Sequence, residues 1–158
     1  MTALEDRIQP GDRLLLDSSV LAAYLDGGER IAALATELLD DLVRTGRNPA
    51  VVSMVSVVET LIRPLRRLPA AHATVLGFYR EFPNLVAAPV DLDVAAEAAS
   101  LRVAFGLSAP DALIAATGLA AGVAQLVTND RAWLKRLAPL RDRADVLVLG
   151  DLVGSGPR

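Results

Sequence analysis

Cysteine is absent from this 158-residue sequence and histidine occurs once, as His72. Without thiols there is no disulfide framework, no thiol nucleophile and no zinc finger, and one histidine closes nearly every route to a zinc enzyme. A metal held here must be hard and bound by oxygen. Aromatic residues make up only 4%, too few for a platform that stacks the bases of a single strand. Lysine is reduced to Lys135 beside fifteen arginines, a skew expected of a GC-rich bacterial genome. Neither a phosphate-binding Gly-rich loop with Lys nor a GxGxxG is present, which disfavours nucleotide cofactors. No GxSxG elbow exists either, and a Ser-His-Asp hydrolase would depend on His72 alone, a residue expected on a helix surface.

Charge is nearly balanced at −3, which excludes coating of nucleic acid by bulk attraction but leaves room for a local basic patch. The opening MTALEDRIQPGD carries acids where a secretory signal needs a positive patch, so the expected location is cytoplasmic. The uncharged stretch from Ala112 to Asn129 includes Gly118-x-x-x-Gly122, yet it is mostly alanine and shorter than the roughly 20 strongly apolar residues a bilayer requires. It reads as a buried helix and a buried strand, with no membrane association.

What the chain does have is apolar material, 53% of its residues, in a length suited to one domain. RLLLD at 13–17 is a short apolar run expected of a strand covered on both faces. Helices are expected over SVLAAYL, over 29–44 and over 56–67, where Pro64 must kink or split the last, and a further one over 70–82. Strands are expected at 50–53, 85–90, 125–128 and 146–149. Asp91 or Asp93 caps a helix over 94–105, Ser108-Ala-Pro-Asp111 starts one that ends at Gly122, and a short helix follows Asp130. The division is a leader at 1–12, one domain at 13–149 and a tail at 150–158. Strands alternating with helices imply parallel pairing, so the fold class is α/β, a three-layer α/β/α sandwich around a mainly parallel sheet.

In such sheets the functional crevice lies beyond the carboxyl ends of the strands. Four acids are expected there: Asp17 ending the first strand, Glu59 early in the helix after the second, Asp111 in the first turn of its helix, and Asp130 after LVT. Two carboxylates about 4 Å apart repel by about 4 kcal/mol at an effective dielectric of 20, so four together call for a divalent cation. All-oxygen ligation selects magnesium or manganese. Local stability offers a competing explanation. Ser56-x-x-Glu59 and Ser108-x-x-Asp111 have capping-box spacing, and Asp130 favours a helix dipole. Asp17, ending an apolar strand, has less to gain locally.

The segments LLLDSSVLAAYL, SVVETL, LSAPDALIAATGL and LVTND resemble, in order and spacing, the four acidic motifs of the PIN-domain nucleases, across residues 13–149. Size and layout are most similar to the VapC-type toxins of bacterial toxin-antitoxin pairs. The resemblance implies a Mg2+- or Mn2+-dependent endoribonuclease. In it Asp17, Glu59 and Asp111 are the core catalytic and metal-binding acids, Asp130 is the fourth, and Ser19 and Thr128 are hydroxyl helpers. It also implies an RNA substrate, a cognate antitoxin and a homodimer. The leader before the first strand is longer than the family's usual one.

Arg63, Arg66 and Arg67, and Arg131, Lys135 and Arg136, are candidate RNA contacts, although Arg63 stands four residues after Glu59 and is expected to pair with it. Two other functions are consistent with the fold class. One is a catalytically silent PIN-like module that holds a partner. The other is a metal-dependent phosphatase, against which Asp17-Ser18-Ser19 lacks the expected second acid.

Overall fold

A computed structural model describes residues 1–154 of the chain. The run of three leucines that the sequence places in a doubly covered strand forms β1 (Leu14–Leu16), and all three side chains are completely buried. Leu14 and Leu16 enter one apolar cluster and Leu15 the other, which is how a period of two distributes a wholly apolar strand over two layers. Around β1 stand β2 (Ala50–Ser53), β3 (Leu85–Ala88), β4 (Gln125–Thr128) and β5 (Asp145–Val148), in the order β3-β2-β1-β4-β5. Every neighbouring pair is parallel, with Leu15 facing Val51 on one side and Leu126 on the other. This is the expected three-layer α/β architecture, the sheet being parallel throughout.

The first layer holds α1 (Ala3–Arg7), α2 (Ser18–Asp26), α3 (Ala32–Thr36), α4 (Met54–Arg67) and α5 (Pro69–Glu81), and the second holds α6 (Leu92–Phe105), α7 (Ala109–Ala120) and α8 (Ala132–Arg136). Helix α7 lies very close to the sheet. A Cβ added at Gly118 would come within 2.8 Å of Leu126 and 3.0 Å of Leu15, so the Gly118-x-x-x-Gly122 spacing serves packing on the sheet. Gly122, at φ +65°, then ends the helical segment in the left-handed region. Among the described residues no helix is long and apolar enough to cross a membrane.

Several local expectations change. The leader is not a bare approach to β1: Thr2 and Glu5 form a capping box, α1 follows, and Leu4 and Ile8 are fully buried in the first layer. The helix expected over 29–44 starts at Ala32 and passes into π geometry over Glu37–Val43, where Arg44 N–H donates to Leu39 five residues back. Helix α4 continues through Pro64 instead of splitting there, and Leu68, outside helical backbone at φ −148° and ψ 85°, makes the break before Pro69 opens α5. Asp91, not Asp93, caps α6. After β5 the chain turns through a short 3-10 segment, Leu149–Leu152, with Leu149 and Leu152 buried, so the expected tail begins with a packed turn. Residues 155–158 of that tail lie outside the described residues.

Candidate active site at the carboxyl edge of the sheet

Strands β1 and β4 are neighbours, so the residues that follow them are brought together: Asp17 after β1, and Thr128, Asn129 and Asp130 at the end of β4. Asp17 is 5% exposed and caps α2, its Oδ1 accepting from Ser18 N–H at 2.8 Å and from Ser18 Oγ at 3.3 Å. Capping therefore explains part of Asp17 after all. Its other oxygen has partners that capping does not require. Oδ2 accepts from Ser19 Oγ at 2.8 Å and from Thr128 Oγ1 at 2.8 Å, the latter across the sheet.

Both hydroxyls are oriented from behind. Ser19 Oγ accepts the backbone N–H of Asn129 at 3.0 Å, and Thr128 Oγ1 accepts that of Asp130 at 3.0 Å. A hydroxyl whose lone pair is occupied by an N–H turns its single proton elsewhere, here toward Asp17. Asp17 is thus a carboxylate fixed by four donors, the arrangement that holds a negative charge at a defined place.

Asp111 sits in the first turn of α7, behind the cap Ser108, whose Oγ accepts from Asp111 N–H at 3.3 Å. The capping reading thus has support for this residue. Burial raises its carboxyl pKa above the ordinary range, the Ser108 bond opposes that rise, and the charges of Asp17 and Asp130 add to it. The guanidinium of Arg136 acts in the opposite sense and is itself tied to the carbonyl of Gly106. Asp130 is exposed, and its Oδ1 accepts Ala132 N–H at 2.9 Å at the start of α8. Asp17, Asp111 and Asp130 therefore lie within electrostatic reach of one another.

Glu59 behaves differently. It lies in the second turn of α4, because the cap is Ser53, whose Oγ accepts Val55 N–H at 3.2 Å, and not Ser56. The capping-box reading of Ser56 and Glu59 is excluded, and among the described residues Ser56 Oγ is buried without a partner. Glu59 lines a cleft of about 520 Å3 together with Ser18, Ser19, Asp26, Arg63 and Val75. Arg63 pairs with Asp26 of α2 at 2.5 Å, not with Glu59. None of the four acids enters an ion pair among the described residues.

A divalent cation fits this donor set by its chemistry: hard oxygen ligands, and burial and like charge that raise the Asp111 pKa against the smaller opposing effect of Arg136. As the side chains stand, no group of three or more His, Cys, Asp or Glu among the described residues is gathered at the distances a bound ion would set. Sequence reasoning missed Ser18 and Asn129, both of which touch this network. Asn129 was in view within LVTND, but its role depends on a turn more than twenty residues later.

Comparison with known proteins identifies the family and agrees with the fold. The family model described as PIN domain matches residues 14–139. The fold is similar to VapBC2 of Rickettsia felis bound to a promoter DNA fragment, at TM-score 0.64 and 14% identity over 86% of this chain and 98% of that one. It is similar to DNA-bound VapBC of Salmonella typhimurium, at TM-score 0.62 and 17% identity over 87% and 98%. It is also similar to the sarcin-ricin loop cleaving toxin VapC20 of Mycobacterium tuberculosis, at TM-score 0.59 and 18% identity over 72% and 86%. Among curated proteins, nothing matches the chain.

Proposed function

The chain belongs to the PIN-domain family, and from that premise we propose that it is a metal-dependent endoribonuclease acting as the toxin of a toxin-antitoxin pair. The observation that carries this is the grouping of Asp17, Asp111 and Asp130 at the carboxyl edge of a parallel sheet, with burial, and after it like charge, raising the Asp111 pKa. One similar structure is a sarcin-ricin loop cleaving toxin and another is a toxin-antitoxin complex from Klebsiella pneumoniae, which supports the substrate class and the kind of partner. A cytoplasmic location and a homodimer belong to the same reading.

Asp17, Asp111 and Asp130 are the residues that would hold Mg2+ or Mn2+, with Glu59 contributing from α4. The cation supplies positive charge that neutralises the scissile phosphate and eases deprotonation of the attacking water. The chain's own residues do the rest. Ser19 and Thr128 hold Asp17 in one orientation, so its charge is presented without reorganisation. Asp111, half-buried at the start of α7, contributes charge whose cost the fold already carries. Glu59 lines the cleft beside Ser18 and Ser19, together with the acids Asp26 and Glu29 and the one basic side chain, Arg63, and the RNA strand is proposed to lie there. Arg136, which bears on Asp111, and the nearby Arg131 and Lys135 are the phosphate contacts of the same reading.

Purified protein incubated with a structured RNA and Mn2+ tests this directly. Cleavage that chelation stops and Asp17→Asn abolishes is the expected result, and no cleavage of any RNA with either cation would defeat it. A second reading, a catalytically silent module that holds a partner, draws on the absence of a pre-gathered metal cluster among the described residues. Inert protein that still binds its antitoxin would favour it.

A further inference from the structure

We propose that Asn129 is a positioning residue for the acidic site, held in place by the C-terminal turn Leu149–Leu152. The inference rests on the nuclease reading above for its kinetic consequence, but not for its geometry. Residue 129 faces two ways. Its backbone N–H donates to Ser19 Oγ at 3.0 Å, and its side-chain Oδ1 accepts the N–H of Gly150 at 3.0 Å. An asparagine that merely forms a turn bonds its own backbone about two residues on. This one reaches a backbone group 21 residues away.

The turn that receives it is firmly seated. Leu149 is fully buried and Leu152 nearly so, and Gly150 leaves room for the amide: a Cβ there would stand 2.8 Å from Asn129 Oδ1. Arg131 and Asp151 pair across the same junction at 2.5 Å, although both are well exposed and the pair adds little. From this anchor the order propagates in single hydrogen bonds. Fixing residue 129 fixes Ser19 through the Asn129 N–H, and fixing its neighbours fixes Thr128 and Asp130, whose N–H meets Thr128 Oγ1. Ser19 and Thr128 then converge on Asp17 Oδ2. One amide therefore sets the placement of two acids and of both hydroxyls between them. The turn lies beyond residue 139, where the match to the family model ends, so this support comes from a part of the chain that the match does not cover.

The test uses the full chain with Asn129→Ala and Gly150→Ala. Three quantities are measured: kcat and KM for RNA cleavage with Mn2+, the Mn2+ dissociation constant without RNA by electron paramagnetic resonance, and the melting midpoint. Outer partners of metal-binding groups typically account for about 10- to 100-fold in affinity or activity. N129A is expected to lower kcat and weaken Mn2+ binding within that range, with KM and the melting midpoint unchanged. G150A should act in the same direction by pushing the amide aside, and N129A/G150A should be no worse than N129A, because both changes remove one contact. Wild-type kcat and Mn2+ affinity in N129A would overturn the inference, as would a fall in melting midpoint with both retained. If N129A does not fold, G150A decides by the same criteria. If the wild-type protein cleaves no RNA, the nuclease reading falls, and Mn2+ affinity alone then decides this one: weaker in N129A supports it, and unchanged or absent in both proteins overturns it.

Discussion

The two ends of the sheet bury polar groups in opposite ways. At the amino end, Asn48 is completely buried and neutral, its Nδ2 donating to the carbonyls of Gln9 at 2.7 Å and Asp12 at 3.0 Å, while Arg47 donates to Ile8 at 3.1 Å. Gln125 Nε2 likewise donates to the Arg7 carbonyl at 2.8 Å. Carbonyls of the leader thus receive side-chain donors, although among the described residues Gln125 Oε1 is buried without a partner. At the carboxyl end, Asp17 collects four donors, yet Asp111 and Asp130 add like charge that no ion pair among the described residues cancels. The first end is organised for stability. The second carries like charge that Arg136 offsets only in part, and it is the end proposed for the chemistry.

Substitutions at the two ends should therefore separate activity from stability. The largest effect belongs to the carboxyl end. Asp17→Asn or Asp111→Asn should reduce RNA cleavage by more than about a hundredfold, beyond the loss usual for an outer partner of a metal site, with the fold retained by circular dichroism. Asn48→Ala should do the reverse. Removing this buried amide and its hydrogen bonds should cost about 1–3 kcal/mol, read in urea unfolding, while cleavage per folded molecule stays at the wild-type rate.

A smaller effect has the opposite sign. Because burial raises the folded-state pKa of Asp111 above its unfolded value, its ionisation opposes folding, and stability is lost as pH rises from the ordinary carboxylate range through that raised value. Metal-free Asp111→Asn should thus melt at or above the wild-type midpoint at neutral pH, with the advantage vanishing in acid. A lower midpoint at neutral pH would mean that Asp111 serves the fold through Ser108 instead. Smallest of all, Arg63→Ala breaks an exposed pair with Asp26 and should cost less than about 1 kcal/mol. A larger loss would show that the cleft wall depends on it.

Much of this contrast was legible in the sequence at one end only. RLLLD and LVT announced buried strands through their composition, and the acids after them fell at the edge that a parallel sheet dictates, whereas the adjacency of the two strands came only from the structure. Glu59 was legible as a candidate site residue, but its apparent capping role was not separable from sequence, since Ser53 and Ser56 are both good caps and packing chose the earlier one. Arg63 was assigned to Glu59 by helix spacing and went instead to Asp26, a partner that only the α2–α4 packing supplies. The amino end was read as a plain leader because Leu4 and Ile8, two apolar residues among charged ones, show no long periodicity. Their burial comes from long-range contacts with the first layer. Asn129 and Gly150 illustrate the same limit, because each looks like an ordinary turn residue until the two turns are brought together.

Calorimetric titration of the metal-free protein with Mn2+, run on the wild type and on Asp111→Asn, tests the claim that the carboxyl end is a charge cluster awaiting a cation. Saturable uptake by the wild type, strongly weakened in the variant, is the predicted result. No uptake by the wild type, or equal uptake by both, would contradict it.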